Sequence, residues 1–129
     1  MAKYIITNKA VDDLTMIWDY TYEVWSENQA DKYYNELLVE CQTLADNQNY
    51  GKNYEEISLE IFGYKSSEHI IFYRKLSEKE IEITRILHSY MDLKTEFKNK
   101  TAGKFSFKNR GWKLALAGLI IPLLVLLFV

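Results

Sequence analysis

Residues 81–92 of the chain read Ile81-Glu82-Ile83-Thr84-Arg85-Ile86-Leu87-His88-Ser89-Tyr90-Met91-Asp92. The alternation of Ile81 and Ile83 with polar residues predicts a strand that extends to His88. By the same alternation Arg85 lies on the face of the two isoleucines, and a charged group on an apolar face needs a partner. We expect its guanidinium either to bind a carboxylate such as Asp92, which would lock the fold, or to bind a phosphate. We favour the structural role.

A helical hairpin is predicted upstream of this strand. Residues 3–7 form a short apolar run that suits an opening strand, and Thr7 is a typical residue for the start of a helix. Ser26 followed by Gln29 matches a capping box, so a second helix is expected to begin there. It is expected to end within residues 47–51, where Asn and Gly tolerate the left-handed backbone. Two helices joined by so short a connection form a hairpin.

Three further strands are predicted after the hairpin. They cover residues 57–62, 68–75 and 81–88, and the two connections between them are short and polar. Short connections between consecutive strands indicate an antiparallel meander. The expected class is therefore α+β, in the order β-α-α-β-β-β, with the helical hairpin packed on a small antiparallel sheet.

The charge of the chain is unevenly distributed along its 129 residues. Residues 1–94 contain ten Lys or Arg and seventeen Asp or Glu, a net charge of −7, and residues 95–129 contain six and one, a net charge of +5. We assign residues 1–94 to one domain and residues 95–113 to a basic, polar linker. Such an asymmetry indicates a basic tail with its own anionic partner.

Residues 114–129 contain no polar side chain. We expect an apolar C-terminal helix here, because a segment apolar on every side must be buried in protein or lipid. It is a possible membrane anchor that would hold a cytoplasmic domain at the inner membrane, with the preceding cations on the cytoplasmic side. An aberrant extension of the chain and packing on the domain's own surface are the two alternatives.

The first 94 residues resemble the RelE/ParE superfamily of bacterial toxins, and in particular its ParE branch. The closing motif of residues 85–92 is one part of the resemblance. The others, in the family's order, are Asp13-Leu14, Ile17-Trp18, Tyr20-Thr21, Trp25, Gln29-Ala30, Tyr33, Leu44-Ala45, Gly51, His69-Ile70 and Phe72-Tyr73-Arg74. In the closing motif we expect structural roles for Arg85, His88, Met91 and Asp92.

The resemblance implies the toxin of a type II toxin–antitoxin pair. Its partner would be a ParD-like antitoxin whose disordered C-terminal part folds over the toxin, and its target would be DNA gyrase, inhibited without catalysis. No cofactor, metal or direct contact with nucleic acid is implied. Trp18, Tyr22 and Trp25 are the candidate antitoxin-binding residues if they face outward, although helical spacing also suits them to the core.

The alternative function is a RelE-like, ribosome-dependent endoribonuclease that cuts messenger RNA. Such an enzyme needs a base, an acid and a cation for the phosphorane, and Arg74, His88 and Tyr90 could supply them. The net charge of −7 on the domain argues against docking on ribosomal RNA. A third alternative is a decayed, non-toxic relative.

Cys41, the single cysteine, is expected to be a buried apolar residue rather than a redox or metal site.

Overall fold

The chain folds into three helices and five strands in the computed structural model, which describes residues 1–91 and 93–98. In chain order the elements are β1 (Lys3–Ile6), α1 (Asn8–Val24), α2 (Glu27–Asp46), β2 (Lys52–Asn53), β3 (Phe62–Ser66), β4 (His69–Ser77), β5 (Glu80–His88) and α3 (Leu93–Lys98). The predicted α+β class and the helical hairpin are confirmed. The short strand β2 was not predicted, and α3 spans the predicted domain boundary at residue 94.

The two long helices begin where their capping residues predict. The Thr7 side chain accepts a hydrogen bond from the backbone N–H of Ala10 at 3.1 Å, and the Ser26 hydroxyl accepts one from Gln29 at 3.2 Å. Each bond satisfies one of the N–H groups that a helix leaves free in its first turn. Only Trp25 and Ser26 separate α1 from α2, so the two helices turn back on each other.

The sheet is mixed rather than purely antiparallel, which corrects one part of the prediction. Its strand order is β1-β5-β4-β3-β2, and β1 runs parallel to β5 while every other pair is antiparallel. The short turns of the meander fix the directions of β3, β4 and β5 relative to one another. They do not fix the direction of β1, because the helical hairpin separates β1 from these strands along the chain.

The prediction of a strand over residues 57–62 is wrong. Residues 55–60 form turns, in which the N–H groups of Ile57 and Ser58 both bind the carbonyl of Tyr54 at 2.9 and 3.1 Å. The alternation that suggested a strand arises because these turns direct Ile57 and Ile61 toward the same apolar cluster. Leu59, between them, is 76% exposed.

Apolar clusters cover both faces of the sheet. The larger one lies between the sheet and the helical hairpin and includes Leu14, Leu37, Ile71 and Ile83. The smaller one lies on the opposite face, where the 54–61 loop and α3 cover part of the sheet. Its members are Tyr54, Ile61, Ile70, Phe72 and Leu87, with Ile57, Met91, Leu93 and Phe97 packed against them.

A bulge in β5 determines which side chains face the hairpin. Phe72 pairs with Arg85 and Tyr73 pairs with Ile83, so Thr84 is one extra residue in β5. Beyond the bulge, Ile86 continues the face of Ile83 in the larger cluster. The predicted placement of Arg85 on the face of Ile81 and Ile83 is therefore wrong, since simple alternation does not continue through a bulge.

Along residues 1–91 and 93–98, no helix combines the length and the apolar character needed to cross a membrane. The predicted apolar segment, residues 114–129, lies outside the described residues.

Candidate functional site

An aromatic surface lies on the outward side of the helical hairpin. The rings of Trp18 and Tyr22, one helical turn apart in α1, stack with centroids 5.3 Å apart and an interplanar angle of 15°. The indole N–H of Trp18 donates a hydrogen bond to Asp31 of α2 at 2.9 Å, which fixes the ring against the second helix. Tyr22 is 51% exposed and Trp18 is partly exposed. Two of the three predicted antitoxin-binding residues therefore form one surface.

Trp25, the third predicted residue, is partly exposed and ends α1, where its backbone N–H donates to the carbonyl of Thr21 at 2.8 Å. Its indole nitrogen and the side-chain oxygen of Gln29 are buried and have no hydrogen-bond partner among the described residues. Unsatisfied buried polar atoms are costly, at about 1–3 kcal/mol each. Within the described part of the chain, the turn of the hairpin therefore contains two such atoms, next to the aromatic surface.

The guanidinium of Arg85 binds a carboxylate, but one that the sequence did not suggest. Its guanidinium forms a fork to the carboxylate of Asp13 in α1, with N–O distances of 2.8 and 3.0 Å. The same carboxylate accepts the backbone N–H of Ile86 at 3.0 Å. The third nitrogen of Arg85 donates to the carbonyl of Glu96 in α3 at 2.9 Å. Arg85 therefore joins α1, β5 and α3.

This ion pair is almost dry, with side-chain exposures of 3% for Arg85 and 8% for Asp13. A buried guanidinium with its fork occupied by a carboxylate cannot also receive a phosphate group. The predicted partner, Asp92, lies outside the described residues, whereas Met91 packs on the smaller apolar cluster. Position in the chain gave no signal for Asp13, which is 72 residues away from Arg85.

Two histidines face each other across β4 and β5 in the interior. His69 pairs with His88 in the sheet register, and their ring centroids are 5.3 Å apart. His69 forms a 2.6 Å hydrogen bond with the hydroxyl of Tyr33 in α2, and the Nδ1 atom of His88 accepts the backbone N–H of Tyr90 at 3.0 Å. Both rings are buried.

Burial keeps these rings neutral. Desolvation, with a smaller contribution from the facing His88, lowers the pKa of His69 to about 3. Desolvation and the nearby Lys65 lower the pKa of His88 to about 4. The fold therefore holds both imidazoles in the uncharged form at neutral pH.

The three residues considered for a ribonuclease are not brought together. His88 and Tyr90 are adjacent, with ring centroids 4.9 Å apart, and Tyr90 is 62% exposed. Arg74, however, lies opposite Glu82, six residues before His88 in β5. At about 3.3 Å per residue this places it roughly 20 Å from the histidine.

Arg74 is also occupied by carboxylates. It forms a fork to Glu82 at 3.0 and 3.2 Å and lies 3.7 Å from Glu60. The hydrogen bond and the charge of Glu82 raise the pKa of its guanidinium further.

Within the described part of the chain, the single cysteine is a buried thiol and the acidic residues form no metal site. Cys41 is buried in the larger cluster, and desolvation raises the pKa of its thiol to about 12, so it is not a nucleophile at neutral pH. No group of three or more His, Cys, Asp or Glu among the described residues could hold a metal ion.

The sequence matches a toxin family and two known toxins. The family described as the ParE toxin of the type II toxin–antitoxin system parDE matches residues 4–93. The chain is 33% identical over 92 residues to Toxin ParE1 of Mycobacterium tuberculosis and 30% identical over 92 residues to Toxin ParE1 of Caulobacter vibrioides. Each alignment covers 71% of this chain and 94% of the relative.

The fold is similar to a solved structure titled as the chromosomal ParDE toxin–antitoxin system of P. aeruginosa. The TM-score is 0.58 at 22% sequence identity, and the match covers 68% of this chain and 96% of that chain. From the extent of the family match and the identity to the relatives, the chain belongs to the ParE toxin family of type II toxin–antitoxin systems.

Proposed function

We propose that this protein, when it is not bound to a ParD-like antitoxin, inhibits DNA gyrase without catalysing a reaction itself. The observation that supports this most strongly is the family match over residues 4–93, since the resemblance implies a gyrase inhibitor. The interactions of the strand arginines agree with a protein that binds its target rather than one that catalyses a reaction. The two arginines of the strands are engaged within the fold, as Arg85 binds Asp13 and Arg74 binds Glu82.

We also propose that the antitoxin contacts the outward surface of the helical hairpin, including Trp18, Tyr22 and Trp25. Large aromatic side chains that are held in place and partly exposed contribute most of the energy in many protein interfaces. The stacked rings of Trp18 and Tyr22 meet this description, and the hydrogen bond of Trp18 to Asp31 reduces the entropy lost on binding. The matched parDE system supports a ParD-like partner.

The test of the target is supercoiling of relaxed plasmid by gyrase in the presence of the purified complete chain, with cleavage complexes trapped by denaturant. We expect loss of supercoiling and accumulation of double-strand breaks, and we expect an excess of ParD-like antitoxin to reverse both. An inactive result from a folded chain that binds the antitoxin would refute the proposal.

The ribonuclease alternative is separated from this proposal by two substitutions that leave the core intact. Tyr90→Phe removes an exposed hydroxyl, and Arg74→Gln removes a partly exposed guanidinium. A gyrase inhibitor should keep its activity in both variants, whereas a ribonuclease that uses these residues should lose cleavage of messenger RNA in ribosome-containing extracts. Growth arrest on induction of the parent chain would exclude a decayed, non-toxic relative.

The C-terminal segment carries a separate proposal that rests on sequence alone. We propose that residues 114–129 associate with the cytoplasmic face of the inner membrane, supported by their uniformly apolar composition and by the cations that precede them. A soluble reporter fused to residues 95–129 should then be recovered in the membrane fraction after a high-salt wash. Recovery in the soluble fraction would contradict the proposal.

A further inference from the structure

An exposed acidic row runs along helix α1. Asp12, Asp19 and Glu23 follow one another at spacings of seven and four residues, so they lie on one side of the helix. All three residues are exposed, and Asp12 and Asp19 have no ion-pair partner among the described residues. The hairpin that carries the row, residues 8–46, contains two Lys and nine Asp or Glu, which gives a net charge of −7. The row therefore favours a cationic partner.

Helix α3 ends close to this acidic row. Arg85 donates to the carbonyl of Glu96 in α3 at 2.9 Å and to the carboxylate of Asp13 in α1 at 2.8 and 3.0 Å. A single guanidinium therefore spans the distance between the two helices. Asp13 is the neighbour of Asp12, and α3 ends at Lys98, two residues after Glu96. The chain thus leaves the described domain beside the acidic flank of α1.

A buried tyrosine hydroxyl lies on the side of α1 that faces α3. Tyr20 follows Asp13 by seven residues, so the two side chains project toward the same side of the helix. Tyr20 is 9% exposed, and its hydroxyl is buried without a hydrogen-bond partner among the described residues. Buried hydroxyl groups in folded proteins are nearly always hydrogen-bonded. We therefore expect a polar group from outside the described residues to bind it, next to Asp19 of the acidic row.

The segment that follows α3 has the charge that complements the acidic row. Residues 99–113 contain five Lys or Arg and no Asp or Glu, and three of the cations, Lys100, Lys104 and Lys108, are four residues apart. At about 1.5 Å per helical residue the acidic row is roughly 17 Å long. The segment can span up to about 50 Å when extended, so it can follow the whole row from the end of α3.

We propose that residues 99–113 dock along the acidic row of α1 as an intramolecular contact, in which their cations lie beside the row and one of their polar groups binds the Tyr20 hydroxyl. The contact offsets the repulsion between Asp19 and Glu23, which are four residues apart in the helix. It gives the basic segment an anionic partner within its own chain. It also holds the apolar residues that follow next to the domain.

The first test is the rate at which chymotrypsin cleaves the complete chain after Phe105 and Phe107. Dividing each rate by that of a synthetic peptide of residues 99–113 with the same sequence removes the preferences of the protease. Docking should protect these bonds at low salt, and added salt should weaken the protection because the contact is electrostatic. Cleavage as fast as that of the free peptide at low salt would overturn the proposal.

A matched pair of variants locates the contact. Asp12→Lys with Asp19→Lys should speed cleavage at least about three-fold at low salt, since it replaces attraction by repulsion. Glu55→Lys with Glu56→Lys makes the same change of charge at two other exposed residues and should leave the rate unchanged. All four residues are exposed, so circular dichroism should be unchanged. Equal rates in the two variants would refute docking on α1.

A charge swap connects the segment to the row. Lys104→Glu with Lys108→Glu should speed cleavage, relative to its own peptide, as much as the reversal of Asp12 and Asp19 does. Combining both reversals restores opposite charges and should return the rate toward that of the parent. Cleavage of the combined variant that stays fast would show that the two sets of charges do not meet, and the contact would be wrong.

The Tyr20 hydroxyl has a test of its own. Tyr20→Phe keeps the ring and removes the hydroxyl. If the segment binds that hydroxyl, the loss of the hydrogen bond should speed cleavage at least about two-fold. An unchanged rate would exclude this hydroxyl from the contact.

An anionic lipid surface is the competing partner for the same cations. In that case vesicles that contain anionic lipid would protect the segment from cleavage, whereas vesicles of neutral lipid would not. Reversal of Asp12 and Asp19 would then have no effect in buffer without vesicles. That combination of results would refute docking on α1, whereas sensitivity to the reversal without vesicles supports it.

Discussion

Among the residues that the structure describes, the buried ion pair of Asp13 and Arg85 should be the most costly polar interaction to break. Arg85→Met removes the two bonds to Asp13, at 2.8 and 3.0 Å, and the bond to the Glu96 carbonyl. Among the described residues, Asp13 would then keep the Ile86 N–H as its hydrogen-bond donor, in a site where its side chain is 8% exposed. Breaking a buried pair in this way costs about 3–5 kcal/mol.

That loss is large compared with the stability of a small domain, which is about 5–15 kcal/mol. At about 4–8 °C per kcal/mol for a domain of this size, the Tm should fall by roughly 12 °C or more. Asp13→Leu should also destabilise the fold, but by less, because the buried guanidinium keeps its hydrogen bond to the Glu96 carbonyl and lies 3.9 Å from the Glu96 carboxylate.

The double variant tests whether the two residues act as a unit. Asp13→Leu with Arg85→Met leaves two backbone groups less well satisfied, at about 1–3 kcal/mol each, and it removes the cation 3.9 Å from the buried Glu96 carboxylate, but it leaves neither Asp13 nor Arg85 as a charge without its partner. Its loss of unfolding free energy, measured by urea titration with tryptophan fluorescence, should therefore be smaller than the sum of the two single losses by about 0.5–3 kcal/mol. Single losses below about 1 kcal/mol, or strictly additive losses, would refute the structural role of Arg85.

Four further outcomes are expected. Burial lowers the pKa of His69 to about 3 and that of His88 to about 4. Below pH 6.5 the unfolded state therefore binds more protons than the folded state. Each histidine should lower the free energy of unfolding by up to about 1.4 kcal/mol per pH unit as the pH falls toward its folded-state pKa. Replacing both by Gln should flatten that slope in acid unfolding curves, and an unchanged slope would mean that neither ring is held neutral. Thr7→Ala removes both the helix cap and the bond to the Thr84 carbonyl at 2.8 Å, and should cost about 1–2 kcal/mol in urea unfolding, against less than about 0.5 for the exposed Leu59→Ser. Induction of the complete chain should arrest growth and reduce plasmid supercoiling, and supercoiling that stays normal in arrested cells would point to another target. A reporter carrying residues 95–129 should sediment with membranes, while the same reporter carrying only residues 95–113 should stay soluble; identical partition of the two would show that the apolar segment is not an anchor.

The local parts of the fold were predictable because their signals lie within a few residues. Thr7 and Ser26 cap helices through neighbours three positions away, and helical spacing of apolar residues marks the buried faces. The family resemblance joined these parts into one toxin domain.

The long-range parts were not predictable from local patterns. The partner of Arg85 is Asp13, 72 residues earlier, and no spacing rule connects them. The bulge at Thr84 reversed the expected face of Arg85, and the alternation in residues 57–61 belongs to consecutive turns rather than to a strand. In each case tertiary packing outweighed the local period.

The parallel pairing of β1 with β5 has a consequence for synthesis on the ribosome. Lys3 through Ile6 pair with Glu80 through Ile83. The first strand is therefore translated long before the strand with which it forms its sheet hydrogen bonds. At about 5–20 residues per second, that delay lasts roughly 4–15 s. During this interval the nascent hairpin exposes the apolar face that the sheet later covers, so we expect a chaperone that binds apolar surfaces to reach it before the fold is complete.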